Sequence, residues 1–261
     1  MSLVSALLHN PALVLRHRNI FLLSHMRANT SVFGHLIGSH PLVEGYYEMH
    51  IGYYSWKSLW RQKLKHFADH EAKPGARFMF DKILHDGHYI APELLRRQST
   101  RTIMMLRAPD QSIKSLVALY RQRNPQLPEA TPEGAARYYI DRLKTLVRIG
   151  HEIGPRYFYL DAEGLIGATE TTLGALSGWL EFSTPIPREY STFAKTGRGN
   201  TGDHSSRLKS GKISAAKSDY SDIVVPAELD SEAQRIYREA RQALIDRSAR
   251  HATYPAAAQT L

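Results

Sequence analysis

The chain has 261 residues, no cysteine and a formal net charge of +9. The absence of cysteine excludes disulfide cross-links and thiolate catalysis. The length suits one sizeable α/β core, so we predict a single domain over residues 1–261. The charge favours an anionic partner, and nucleic acid, acidic lipid and a polyanionic cofactor all satisfy it. Because basic clusters such as Arg16-His17-Arg18 are short, we do not expect nucleic acid to be the partner.

Short apolar runs alternate with helical patterns, which predicts an α/β fold with a parallel sheet flanked by helices. Strands are predicted at residues 19–24, 42–47, 78–82, 102–106 and 157–160. Helices are predicted at residues 32–38, 92–98, 109–123, 132–149, 169–180 and 232–247. Residues 196–219 are rich in Gly, Ser, Lys and Asp, which predicts a mobile loop over the functional site.

The stretch from Phe21 to Ser31 combines an apolar strand, a short turn and the start of a helix. The turn holds a cation, Arg27, and the helix opens with the hydroxyls of Thr30 and Ser31. Backbone N–H groups, a fixed positive charge and two hydroxyls around one point suit a phosphate or sulfate ester. The stretch contains no glycine, so it is not a Walker loop. The plain alternative is an N-capped helix with a surface arginine.

Two further features lie downstream. Arg107 ends an apolar run and Ser115 follows eight residues later in the next predicted helix, which would supply a second anion site. A glycine-containing segment, Arg198-Gly199-Asn200-Thr201-Gly202-Asp203, lies in the predicted loop. Few cofactors carry two separated anionic groups, so two such sites narrow the choice of ligand.

These segments resemble the sulfotransferases that use 3′-phosphoadenosine 5′-phosphosulfate (PAPS). Arg27-Ala28-Asn29-Thr30-Ser31 is similar to the family's first cofactor motif, Lys/Arg-Ser-Gly-Thr-Thr/Ser, with Ala28-Asn29 replacing Ser-Gly. Leu36-Ile37-Gly38-Ser39-His40-Pro41 looks like the tail of that motif in bacterial and carbohydrate-directed members. Arg107 with Ser115 matches the 3′-phosphate motif, and Arg198-Gly199 opens a match to the family's cofactor loop.

The resemblance spans residues 19–213 and implies a P-loop-like sulfotransferase fold. It implies sulfuryl transfer from PAPS to an acceptor hydroxyl, with adenosine 3′,5′-bisphosphate as the product and no metal. The carbohydrate-directed branch implies a glycan or glycolipid acceptor. Because membrane-anchored relatives carry a transmembrane helix and no apolar run here approaches the roughly 18 residues of a span, we predict a cytoplasmic protein. The oligomeric state stays open.

The resemblance also implies roles for individual residues. Lys82 ends the third predicted strand and would assist the leaving group together with Arg27. Glu48 follows the second strand and is the preferred base, since burial raises a carboxyl pKa into the range of a general base. His85 is the alternative base, and His50 could orient or replace Glu48.

Two other groups of residues have structural as well as functional interpretations. His66 and His70 have the spacing of a helical metal site, but we predict a solvated helix face and no metal. An aromatic-rich segment between Tyr46 and Trp60 would be either core or a wall of an acceptor site. A P-loop kinase and a non-catalytic basic binding module are the alternative functions.

Overall fold

The computed structural model describes residues 13–197, 206–215 and 218–255. Its centre is one six-stranded sheet in the order β2-β3-β1-β4-β5-β6, in which every pair of neighbouring strands is parallel. The strands are β1 Arg18–Ser24, β2 Val43–Glu44, β3 Phe78–Ile83, β4 Thr100–Leu106, β5 Tyr157–Asp161 and β6 Arg250–Ala252.

Helices connect and cover these strands. They are α1 Thr30–Gly38, α2 Trp56–Phe67, α3 Pro92–Leu95, α4 Pro109–Arg123, α5 Pro132–Ile153, α6 Gly164–Gly167, α7 Thr169–Leu180, α8 Ser206–Lys209 and α9 Ala227–Arg247, with a 3-10 turn at Pro128–Ala130. None of the helices in the described ranges is both long enough and apolar enough to span a bilayer.

Strand β1 shows how the core divides into two layers. Its side chains alternate between the two faces of the sheet, as strand geometry requires. Phe21 and Leu23 pack in the layer that contains α4, α5 and α9, whereas Ile20 and Leu22 pack in the layer that contains α1 and α7. A strand that is buried on both faces is a near-continuous apolar run, which is why β1 could be predicted from the sequence.

Because the strands are parallel, their carboxyl ends meet at one edge of the sheet. Arg142 of α5 links the ends of β1 and β3 at this edge. Its guanidinium donates to the Ser24 carbonyl at 2.9 Å and to the Ile83 carbonyl at 2.7 Å. The same group reaches Asp86 at 2.5 Å. In open α/β sheets, ligands bind beyond this edge, next to the strand where the order reverses, and here that strand is β1.

Several predicted elements change length in the structure. The second strand covers two residues rather than six, because Gly45 turns the chain with a positive φ of 88°. The helix predicted over residues 92–98 ends at Leu95, and the one predicted from residue 232 already begins at Ala227. The described part of the predicted loop contains the short helix α8; the rest, including residues 198–205, lies outside the described residues.

Candidate active site

The turn between β1 and α1 has an unusual backbone. Arg27 and Asn29 both have positive φ, 64° and 57°. Asparagine tolerates this left-handed conformation better than most residues, whereas arginine adopts it at an energetic cost. The Asn29 amide donates to the Ala162 carbonyl at 3.3 Å, and no described side chain caps α1. With no acidic residue in its first turn, the positive end of α1 is open to an anion.

Lys82 brings a second positive charge to this turn. It lies in β3 opposite Leu22 of β1, and its side chain is almost completely buried. Its Nζ lies 3.4 Å from the Ser31 Oγ at the start of α1. The structure therefore places the predicted lysine and the predicted hydroxyl of the first motif together.

The residues of the second motif lie on the other side of the same turn. The Arg107 guanidinium donates to the Arg27 carbonyl at 2.9 Å. The Arg27 Nε donates in turn to the Ser115 Oγ at 2.8 Å. Tyr220, which the sequence did not single out, donates to the same Ser115 Oγ at 3.1 Å. Arg27 therefore lies with Arg107 and Ser115 and is not an isolated surface arginine.

A buried histidine fixes the distance between the two motifs. The His25 Nε2 accepts the Arg107 backbone N–H at 3.0 Å, and Nδ1 is 2.9 Å from the Met26 carbonyl. Since Nε2 is an acceptor, Nδ1 carries the proton and the ring is neutral. Burial lowers the His25 pKa to about 3. Tyr139 donates to the Arg107 carbonyl at 2.6 Å and packs edge-on against the ring.

Tyr138 ties the first turn to the end of β3. Its hydroxyl accepts the Met26 N–H at 2.9 Å and donates to the Leu84 carbonyl at 2.6 Å. The loop that carries His85 thus begins at a fixed position relative to the turn after β1.

Glu48 lies in this loop region as a buried carboxylate. The residue is only 8% exposed, and its Oε1 accepts a hydrogen bond from no described group. The distances from Oε1 are 3.6 Å to His50 Nδ1 and 3.5 Å to His85 Nε2. Burial raises the Glu48 pKa, while the nearby charge of Lys82 acts in the opposite direction. The predicted base, its two alternatives and the predicted lysine therefore share one site.

Asp81 positions the segment that carries Glu48. Its carboxylate accepts the backbone N–H of Met49 at 3.0 Å and the hydroxyl of Tyr53 at 2.5 Å. The side chain is fully buried, and burial raises its pKa to about 7. The N–H of Lys82 is the third donor, at 2.8 Å, so one carboxylate orients the segments of both Glu48 and Lys82.

A third histidine completes a cluster that the sequence did not predict. Ring nitrogens of His50, His85 and His88 all lie within 4.8 Å of one another. Burial and the neighbouring His88 lower the His85 pKa to about 4. By contrast, the pair with helical metal-ligand spacing does not form a solvated face, which corrects that prediction. His66 is 2% exposed, and its Nε2 is 3.3 Å from the Glu44 carboxylate.

The tail of the first motif has a packing function. The His40 ring stacks on Phe182 with 4.2 Å between centroids, and its Nε2 donates to the Thr184 carbonyl at 3.0 Å. His35 of α1 bonds to Thr196 at 2.9 Å, which docks the segment before the third motif against α1. Arg198 and Gly199 themselves lie outside the described residues, so their predicted contact with the cofactor stays a prediction.

The aromatic segment is partly core and partly exposed. Tyr46, Tyr47 and Tyr53 belong to the core. Tyr54 and Trp56 are exposed, and Tyr54 stacks on Tyr89 with ring centroids 5.3 Å apart. Tyr89 directly follows His88 in the chain, and Tyr54 lies four residues after His50.

A cavity opens beside His85. Its volume is about 410 Å³. Met26, Tyr120 and Tyr138 contribute apolar and aromatic surface, and Asp86 and Asp141 contribute carboxylates. One of the three candidate bases, His85, therefore lines this cavity.

The sequence signals explain which residues were missed. His25, Tyr138 and Tyr220 act through partners 82, 112 and 105 residues away. His25 lies within the stretch from Phe21 to Ser31, but its contact, like those of Tyr138 and Tyr220, is visible only in the folded chain.

Comparisons with known proteins bear on the fold. The sequence matches no protein-family model and no curated protein. The structure is similar to the sulfotransferase domain from the curacin biosynthetic pathway, with a TM-score of 0.59 and 17% identity over 86% of this chain and 97% of that domain. It is also similar to the sulfotransferase domain from the Synechococcus PCC 7002 olefin synthase, with a TM-score of 0.59 and 16% identity over 86% and 94% of the two chains.

These similarities confirm the predicted α/β fold, with a parallel sheet flanked by helices as in sulfotransferase domains. They do not distinguish the carbohydrate-directed branch, which stays a prediction. The similarity rests on the arrangement of the elements, because so few residues are identical.

Proposed function

We propose that this protein transfers a sulfuryl group from PAPS to an acceptor hydroxyl and releases adenosine 3′,5′-bisphosphate. One observation carries the proposal: two cationic positions lie on either side of a single turn after the central strand. Lys82 contacts Ser31 on one side, and Arg107 and Ser115 are linked through Arg27 on the other. A ligand with two separated anionic groups matches this arrangement better than a single phosphate.

The 3′-phosphate would bind at Arg107, Ser115 and Arg27. Guanidinium groups suit a phosphate because they donate in a planar fork, and such charge-assisted bonds are stronger than neutral ones. The 3′-phosphate would replace the hydrogen bond between Arg27 and Ser115, and both side chains would donate to the phosphate instead. Arg198 and Gly199 are proposed to complete the nucleotide site.

The 5′-phosphosulfate would bind at the first turn of α1. Ala28, Asn29, Thr30 and Ser31 would present backbone N–H groups and hydroxyls to it, with Lys82 as the adjacent cation. Charge that develops on the bridging oxygen as the bond to sulfur breaks would be stabilised by Lys82, since a preorganised cation in a buried site acts most strongly there.

Glu48 would accept the acceptor proton. As the acceptor oxygen bonds to sulfur, the bond between sulfur and the bridging oxygen breaks, the proton moves to Glu48, and adenosine 3′,5′-bisphosphate leaves with the electron pair. The buried Oε1, which accepts no hydrogen bond from a described group, and the nearby charge of Lys82 support this assignment. His85 and His50 would hold the carboxylate in place.

We propose a glycan or glycolipid acceptor. The stacked, exposed pair of Tyr54 and Tyr89 supports this choice, because sugar rings bind well to aromatic faces. Tyr89 directly follows His88 of the histidine cluster, so we propose that a sugar bound on this pair lies near Glu48.

A direct assay tests this function. The chain is incubated with PAPS and a panel of glycan, phenolic and lipid hydroxyl acceptors, with EDTA present, and release of adenosine 3′,5′-bisphosphate is measured. We expect acceptor-dependent release that needs no divalent metal. A chain that transfers phosphate from ATP with magnesium, and does not use PAPS, would establish the kinase alternative instead.

A further inference from the structure

The cluster of His50, His85 and His88 has the composition of a metal site. Imidazole nitrogen is a preferred ligand of zinc and related divalent ions. The three side chains come from two separate segments, the loop after β2 and the loop after β3, and their ring nitrogens lie within 4.8 Å of one another. His50 holds a left-handed backbone with φ of 52°, so the fold maintains a costly conformation at this position.

The distances between the three ring nitrogens are close to those that one shared metal ion requires. Nitrogens that share one zinc ion at about 2.0–2.1 Å lie roughly 3–4 Å apart. His50 is exposed and His85 is 31% exposed in its side chain, so small rotations of these two rings can bring the three nitrogens to that spacing. No movement of the buried core is required.

Two buried atoms at the cluster independently indicate a cation. The His88 Nδ1 and the Glu48 Oε1 are both buried, and neither has a hydrogen-bond partner among the described residues. A buried polar atom without a partner is costly, and bound ions are one common explanation. The Glu48 carboxylate, more than nine-tenths buried, stands 3.5–3.6 Å from the nearest nitrogens of His85 and His50.

We propose that His50, His85 and His88 bind one divalent transition-metal ion, with zinc as the best-suited metal, and that Glu48 balances its charge. The open fourth position of a three-histidine site would hold water. The site is distinct from the two anion positions at the turn after β1.

The consequence for transfer rests on the proposed function. A divalent cation coordinated by His85 would pair with the negative charge of the Glu48 carboxylate. The carboxylate could then no longer accept a proton from the acceptor. Zinc would therefore inhibit transfer reversibly, while transfer itself proceeds without metal.

The test separates binding from activity. The untagged, metal-free chain is titrated with Co²⁺, and visible absorption and stoichiometry are recorded; Zn²⁺ is then added to displace it. We expect one Co²⁺ per chain with the absorption of a low-coordinate, nitrogen-bound ion, displaced by Zn²⁺. The His88→Ala variant should bind at least about tenfold more weakly. His70→Ala is the matched control, since His66 and His70 form the other histidine pair, stacked at 4.5 Å.

Each outcome decides the proposal. Loss of Co²⁺ binding in His88→Ala and in the milder His88→Asn, with both variants folded by circular dichroism and His70→Ala unaffected, supports the site. No stoichiometric Co²⁺ binding by the unchanged chain overturns it, as does binding that depends on His70 and not on His88. Metal binding without any transfer from PAPS would leave the site standing and refute the proposed function. Transfer that Zn²⁺ inhibits equally in the unchanged chain and in His88→Ala would refute the inhibitory role.

Discussion

Arg107 is the residue on which the proposed nucleotide site depends most. It follows the end of β4 and contacts the backbone of the turn that carries Arg27, where the 3′-phosphate is proposed to bind. A 3′-phosphate there would gain charge-assisted hydrogen bonds, which contribute on the order of 1.5–3 kcal/mol.

We therefore expect Arg107→Ala to lose most of the preference for adenosine 3′,5′-bisphosphate over 5′-AMP, measured by calorimetry. Ser115→Ala should shift the preference in the same direction by less. Arg101→Ala, near the other end of β4 and paired with Glu181, is the control and should leave both affinities unchanged. Equal weakening of the two ligands by Arg107→Ala would mean that the residue is structural.

Glu48 is the proposed general base. Glu48→Gln keeps the shape of the side chain but cannot accept a proton, and loss of a general base typically lowers the rate by about 10²–10⁴. Affinity for adenosine 3′,5′-bisphosphate should hardly change, and His85→Ala should lower the rate less. Steady-state rates with a common acceptor test both variants. Near-normal turnover of Glu48→Gln beside an inactive His85→Ala would transfer the base function to His85.

At the scale of elements, one buried carboxylate contributes to the anchoring of α9. Asp161 at the end of β5 accepts two bonds from Arg241 of α9, at 2.9 and 2.6 Å. It also accepts the Tyr159 hydroxyl and the Tyr254 N–H. Because removal of one partner leaves a buried charge, this pair should matter far more than any surface pair.

We expect Arg241→Ala to lower the free energy of unfolding by about 3 kcal/mol. For a chain of this size that corresponds to a fall in Tm of roughly 6–12 °C. Arg235→Ala removes an exposed pair with Glu239 on the same helix and should cost less than about 1 kcal/mol. Thermal unfolding of both variants is the measurement. Similar small shifts in the two would show that Asp161 does not anchor α9.

The elements also show what the sequence can predict. Strands β1 and β4 and helix α4 were predicted nearly to the residue, because buried parallel strands are uninterrupted apolar runs and Pro109 marks a helix start. Helix α2 was missed, since its aromatic and basic residues hide its periodicity, although Ser55 accepts the Lys57 N–H as an N-cap. The three-residue edge strand β6 is too short and exposed to leave a pattern.

The candidate site also contains residues that the sequence indicates and residues that it does not. The residues of the two anion positions follow strand ends and helix starts, so local spacing reveals them. The histidine cluster depends on bringing residue 50 beside residues 85 and 88, which the pairing of β2 with β3 and the bridge between Tyr53 and Ile90 achieve. Packing between distant segments leaves no local signal.

At the scale of the whole molecule, stability should depend on pH through His25. The folded state holds this histidine neutral with a pKa of about 3, against 6.5 for the unfolded chain. The unfolded chain therefore binds more protons below pH 6.5, and stability is full above that pH and falls as the pH drops toward 3.

Between neutral pH and pH 5, His25 alone should reduce the free energy of unfolding by about 2 kcal/mol. His25→Gln keeps an acceptor for the Arg107 N–H but does not titrate, so urea unfolding of this variant should depend less on pH over that range. Identical pH dependence in the unchanged chain and in His25→Gln would contradict the buried, neutral state of His25.

The positive charge of the whole chain does not by itself distinguish a cofactor from another polyanion, so the central claim needs a ligand-specific measurement. Calorimetric binding of adenosine 3′,5′-bisphosphate in EDTA, compared with 5′-AMP and with single-stranded oligonucleotides, is the most direct. We expect one site per chain that prefers the bisphosphate over 5′-AMP by about tenfold or more, with weak, salt-sensitive binding of oligonucleotide. Equal affinity for the two mononucleotides, or binding that requires magnesium, would contradict the sulfotransferase account.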